Sequence, residues 1–329
     1  MNGLIRTKME VTLNNPLHAH PLQSMLSGQP VLVLDGALAT ELERRGCDLN
    51  DPLWSARVLI EQPEMIRQVH ADYFAAGADV ATTASYQATF AGFARRGLDE
   101  AAARALMQRA VGLAREARDA FWADPAQHAG RGKPLVAASV GPYGAMLADG
   151  SEYRGHYGLD IDALMDFHRP RMAALLEAGP DLLACETLPC LDEALAIARL
   201  LTEFPGASAW ISFSCRDGES VSEGQRFADC VAALEPFAQV AAVGINCTAP
   251  AHIPALLRSA QGKTTKPLLV YPNSGEEYDA VHKCWHGIRD AQAFAAAARD
   301  WRDAGAQLIG GCCRTTPEDI AALSAWARG

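Results

Sequence analysis

No run of eighteen apolar residues occurs in the 329-residue chain, and its first thirty residues mix Asn, His, Pro and charged side chains without the apolar stretch of a signal peptide. These absences argue against a helical membrane span and an export signal, and they predict a soluble, cytoplasmic protein. Lysine- and arginine-rich segments are also missing. With 29 basic against 39 acidic residues the formal charge is −10, which predicts no nucleic-acid or anionic-membrane partner and leaves room for a cationic small substrate. No Gly-x-Gly-x-x-Gly turn follows the first apolar run, which counts against an open dinucleotide-binding sheet. Nine cysteines are an odd number for a disulfide framework, and in a large chain without an export signal they read as reduced thiols, some metal-bound.

What is present is a repeating pattern. Val31-Leu32-Val33-Leu34 is a buried-strand run that ends in Asp35-Gly36. A helix is predicted over 63–76, opened by Pro63-Glu64 and stopped by Gly77. The joint Ala76-Gly77-Ala78-Asp79-Val80 returns in altered form as Ala178-Gly179-Pro180-Asp181-Leu182 and as Ala304-Gly305-Ala306-Gln307-Leu308. Each reads as a helix end, a glycine cap and a strand start. Strands are predicted at 31–34, 79–86, 135–140, 182–186, 209–213, 241–245, 267–271 and 306–309, with helical patterns between them. Eight such units close into a (β/α)₈ TIM barrel whose active site lies at the C-terminal strand ends. The predicted organisation is an N-terminal arm over 1–25 and a single barrel domain over 26–329, with a kink or break at Pro170 in the helix around 161–177.

The most informative stretch is Gly310-Gly311-Cys312-Cys313, between the last strand and a helix start at Thr316-Pro317-Glu318-Asp319. Adjacent cysteines make a poor disulfide, because neighbouring Cα atoms are about 3.8 Å apart and an unstrained bridge prefers roughly 4.4–6.8 Å. By itself the pair fits two thiolates on one metal, a redox pair, or two small buried hydrophobes. Cys247 ends the sixth strand, one strand away from the eighth, so three thiols can converge at the mouth. Three thiolates with one open position is the donor set of a catalytic zinc site. Cys185, Cys190, Cys215 and Cys230 lack such a partner and are expected to be buried thiols, whereas Cys284 is ambiguous and His252, His282 and His286 are competing ligands in principle.

Asp35-Gly36-Ala37, Gly244-Ile245-Asn246-Cys247 and Gly310-Gly311-Cys312-Cys313-Arg314 resemble the homocysteine S-methyltransferases, a zinc-dependent barrel family, over nearly the whole chain from about residue 25. The stretches 39–43, 84–89, 139–144, 149–155 and 271–276 are most similar to the bacterial and plant branch that uses S-methylmethionine. Ala37 stands where the betaine-dependent branch has a second glycine. The resemblance implies one Zn²⁺ per chain on Cys247, Cys312 and Cys313. It supports Asp35 and Glu186 as partners of the homocysteine ammonium.

Further expected substrate contacts are Gly36, Asn246, Ser85 and Tyr86, with Tyr143 and Asn273. A sulfonium donor favours aromatic faces, for which Tyr86, Tyr143, Tyr153 and Trp285 are available. The expected reaction is transfer of a methyl group from S-methylmethionine or S-adenosylmethionine to a zinc-activated homocysteine thiolate, with no separate catalytic base at the transfer step. The alternatives are another zinc-dependent thiol or selenol methyltransferase and, in a different class, a redox or metal-sensing protein that uses Cys312 and Cys313.

Overall fold

Eight parallel strands form one sheet: β1 (Leu32–Val33), β2 (Val80–Thr82), β3 (Leu135–Val140), β4 (Leu182–Leu188), β5 (Ala209–Phe213), β6 (Val240–Asn246), β7 (Leu268–Tyr271) and β8 (Ala306–Ile309). Each of β2 to β8 pairs with its sequence neighbour, and β8 pairs with β1, Leu32 facing Leu308. A parallel bridge from Leu34 to Val80 joins β1 to β2 and closes the barrel. The computed structural model describes residues 20–49, 54–128, 130–275, 277–279, 284–286 and 290–329. Residues 1–19 of the expected arm lie outside this range. The helix Pro21–Leu26 spans the arm boundary expected after residue 25 and buries Leu22 fully among Leu32, Leu34 and Val80.

The strand and helix positions follow from local chemistry. Residues of the central strands are buried on both faces, as expected where helices cover the outside and side chains fill the inside. The helix Pro63–Ala76 ends on Gly77 at φ 108°, and Gly179 and Gly305 at the matching joints are also left-handed. Of the kink or break expected at Pro170, the structure excludes the break. The helix Ile161–Glu177 runs through it without a break, with the proline ring on the solvent side and Leu164, His168, Arg171 and Met172 packed inward. Packing on either side of the ring outweighs the single backbone hydrogen bond that it removes.

The floor of the barrel is locked by charge. Asp79, fully buried, accepts from Val33 N at 2.9 Å and from Arg328 at 2.8 Å, and lies 3.7 Å from the Arg131 guanidinium. Thus the last helix, Pro317–Arg328, is tied to the first αβ joint. Asp79→Ala is expected to lower unfolding stability by about 3 kcal/mol, because it leaves two guanidinium groups without their shared carboxylate. Urea denaturation checks this, and an unchanged midpoint would contradict it.

Candidate active site

At the opposite end, the loops after β6 and β8 bring three thiols together. The Sγ atoms of Cys247, Cys312 and Cys313 all lie within 4.8 Å of one another, and those of Cys247 and Cys313 are 3.5 Å apart. A tetrahedral ion with metal–sulfur bonds of about 2.3 Å has sulfur–sulfur edges of about 3.8 Å, so this triangle fits one face of such a site. The three thiols are also coupled to one another through hydrogen bonds. Hydrogen bonds accepted from Cys247 and Cys312 hold the Cys313 thiol well below the usual thiol range. The Cys312 thiol, through its hydrogen bonds to Cys247 and Cys313, is pushed well above it. Three thiolates at this spacing need a cation among them.

The backbone fixes this triangle. Gly311 N donates to Asp35 O at 3.0 Å, Cys312 N to Pro272 O at 2.7 Å, and Ser274 N to Cys313 O at 3.0 Å, which seats the cysteine pair between the β1 and β7 loops. Glycine at 311 is required by close approach, since a Cβ there would sit 2.3 Å from Thr315 Oγ1. The turn then enters the last helix through the capping that the sequence predicts. The Asp319 carboxylate accepts from Thr316 N at 2.8 Å and from Thr316 Oγ1 at 2.9 Å, with both residues buried.

The thiols line one side of a cavity of about 310 Å³, whose walls also hold Asp35, Gly36, Tyr86, Glu152, Tyr153, Glu186 and Asn246. No lysine, arginine or histidine is among the described residues that line it. Asp35 is held at the end of β1 by Thr82, whose N and Oγ1 donate to its carboxylate at 2.8 and 3.1 Å. Burial first, and then the charge of Glu186, push its pKa well above the usual carboxylate range against those bonds. Glu186 accepts from Ser139, and burial raises its pKa to about 7 against hydrogen bonds from Ser139 and Tyr271. Two buried carboxylates without a cationic neighbour among the described residues of the cavity are complementary to an ammonium group.

Beneath them lies a polar layer inside the barrel. Tyr271 OH accepts from Trp210 Nε1 at 3.0 Å and pairs with Ser212 Oγ at 2.7 Å, which in turn donates to Asn246 Oδ1 at 2.8 Å. Asn246 also accepts from Thr187 N and donates to Thr187 Oγ1, both at 2.7 Å. Thr187 and Cys247 of the thiol cluster have φ of 61° and 50°, an uncommon conformation for side-chain-bearing residues and a strained one for a β-branched threonine. Asn246 therefore clamps the strained end of β4 beside the cysteine it precedes. Asn246→Ala is expected to weaken metal affinity by about 10–100-fold with the fold intact, as outer partners of metal ligands do. Competition against a chelator measures this, and unaltered affinity would remove Asn246 from that role.

The structure brings Asp35, Gly36, Tyr86, Glu186, Asn246 and the three cysteines around one cavity and leaves Ser85, Tyr143 and Asn273 out of its lining. Ser85 Oγ is buried and donates to Ser139 O at 2.7 Å. The ring of Tyr143 packs edge-on against Tyr157 and Phe167, while its N–H donates to Glu193 at 2.6 Å. Asn273 N donates to Thr248 O at 3.2 Å. Cys185, Cys190, Cys215 and Cys230 are free and buried, each with its thiol pKa raised by burial. The side chains of His282, Cys284, Trp285 and His286 lie outside the described residues. Thr82, Ser139, Glu152 and Tyr271 were not singled out by sequence reasoning as site residues. A serine inside the apolar β3 run was a signal for Ser139, and the family-like stretch 149–155 was one for Glu152.

The homocysteine S-methyltransferase family model matches residues 32–327. The chain is 59% identical over 309 residues to homocysteine S-methyltransferase YbgG of Bacillus subtilis, covering 94% of this chain and 98% of that one. It is 48% identical to homocysteine S-methyltransferase 1 of Zea mays, over 90% of this chain and 94% of the relative. Among solved structures, the metallated form of the homocysteine methyltransferase MmuM from Escherichia coli superposes with a TM-score of 0.84 at 55% identity, covering 93% of this chain and 99% of that one. A methyltransferase from Methanosarcina mazei, at 11% identity and a TM-score of 0.56, shares the fold.

Proposed function

The chain belongs to the homocysteine S-methyltransferase family, and from that premise we propose that its Cys247, Cys312 and Cys313 hold zinc and that its methyl donor is a sulfonium, S-methylmethionine in the first place and S-adenosylmethionine as a second donor. Zinc at this position supplies a Lewis acid at which a thiol sulfur stays deprotonated and nucleophilic at neutral pH. The chain's own residues do the rest. Asp35 and Glu186 bind the homocysteine ammonium and so fix where its sulfur reaches. Ser139 and Thr82 hold those two carboxylates in place through their hydroxyl groups. Tyr86 and Tyr153 offer aromatic faces to the donor.

The homocysteine sulfur attacks the donor methyl in line. A carbon–sulfur bond forms, the bond to the sulfonium breaks, and its electron pair leaves with a neutral thioether. The leaving sulfur takes up no proton, which suits a cavity with no histidine, lysine or arginine in its described lining. The observation that carries the reading is the conjunction of a three-thiol triangle with buried carboxylates in one cavity. The test is a donor panel with homocysteine as acceptor. S-methylmethionine is expected to yield two methionines per turnover, and turnover with betaine alone would overturn the donor assignment.

A further inference from the structure

With Asp35 and Glu186 assigned to the homocysteine ammonium, a third carboxylate in the cavity, that of Glu152, has no role in the reading above. Glu152 lies in the 3₁₀ turn Ser151–Tyr153, which follows β3, and faces the cavity on the side of the cysteines. Its Oε2 is buried and has no hydrogen-bond partner among the described residues. The nearby Arg154 is turned elsewhere, donating to Asp149 O at 3.1 Å from a largely exposed position. The turn itself is fastened. Ser214 Oγ donates to Glu152 O at 3.4 Å, and Gly144 packs so closely beneath that a Cβ would lie 2.4 Å from Glu152 N. The next residue, Tyr153, places its hydroxyl 3.3 Å from Cys247 Sγ. A carboxylate oxygen removed from water and left unpaired is costly, and one fixed beside the reacting centre is complementary to a cation that arrives with substrate.

We propose that Glu152 is a specificity-determining residue that recognises the positive sulfonium centre of the methyl donor and thereby separates donor from product. This rests on the sulfonium-donor reading. S-methylmethionine and methionine differ by one methyl group and one positive charge, so contacts to their shared amino-acid end hold both alike. A carboxylate at the sulfonium is satisfied only while the charge is present. Once the methyl has moved, the thioether is neutral, the carboxylate is again unpaired, and the product's hold on the site weakens.

Glu152→Gln keeps the shape and removes the charge. In the zinc-loaded protein the KM for S-methylmethionine is expected to rise about tenfold or more. The inhibition constant of methionine as a competitor of the donor should move less than twofold, as should the KM for homocysteine and the metal content. An unchanged donor KM would refute the proposal. So would donor KM and methionine inhibition constant rising together, which would place Glu152 at the ammonium common to both. If the glutamine variant loses its metal or its fold, Glu152→Asp gives the same ratio: a KM for donor that rises relative to methionine inhibition supports the assignment, and a constant ratio overturns it. The wild-type protein separates the two levels of the argument. Failure to use S-methylmethionine or S-adenosylmethionine refutes the donor reading, whereas sulfonium turnover with an unmoved Glu152→Gln ratio refutes Glu152 alone.

Discussion

Cys313→Ser is expected to remove the metal and the activity together. A serine hydroxyl stays protonated at neutral pH and is a hard donor, so the site loses both a negative charge and a soft ligand. The two thiols left behind, Cys247 and Cys312, supply only two of the three soft donors that the cluster offers a cation. Metal content should fall from about one per chain towards zero. Activation by a bound metal contributes several kcal/mol to such a reaction, and the loss of kcat/KM should be roughly a thousandfold or more. Elemental analysis and methionine formation, measured on the same sample, check this. Cys185→Ala is the control: its buried thiol lies on β4 outside the metal cluster, so it should alter stability and leave metal content unchanged. A metal-free Cys313→Ser protein with wild-type turnover would remove the metal from the mechanism.

The second large effect is expected from Glu186→Gln, and it separates binding from stability. Loss of a charge-assisted hydrogen bond to the homocysteine ammonium costs about 2 kcal/mol, or roughly thirtyfold in KM. The pH dependence has a definite sign. Because burial raises the Glu186 pKa to about 7, the carboxyl of the free enzyme takes up a proton as pH falls through 7. Homocysteine affinity should therefore decline below that value in the wild type and flatten in the variant. Stability runs the other way. Between the ordinary carboxyl value of 4.5 and about 7, the folded substrate-free protein keeps a proton that the unfolded chain has released. The contribution of this group to stability thus falls as pH rises through that window. The glutamine variant, free of that penalty, should melt at or above the wild-type temperature at pH 8 while binding homocysteine poorly. Calorimetry and KM measurements across pH 5.5–8 test both halves, and an unchanged homocysteine KM would exclude Glu186 from ammonium binding.

These predictions rest on side chains that differ in how openly the sequence displays them. The barrel was legible because its causes are local: apolar runs of strand length, glycine caps such as Gly77, Gly179 and Gly305, and helix openings such as Pro317. The three cysteines and Asp35 were legible because barrel topology sends whatever follows a strand to one rim. The break expected at Pro170 does not occur, since a propensity rule about one hydrogen bond says nothing of the packing on either side of the ring. Tyr143 has the right position in sequence for the cavity, yet Tyr157 and Phe167 engage its ring instead.

The sequence by itself determined the architecture, the thiol triad and the acidic character of the site, because each depends on residue type, spacing and strand order. Only the tertiary structure decided which polar residues meet. Asn246 turns to clamp a strained Thr187, Thr82 holds Asp35, and Glu152 enters the cavity with an oxygen left unpaired among the described residues. Those outcomes depend on burial and on contacts between residues far apart in the chain, and neither quantity is encoded in any local pattern of residues.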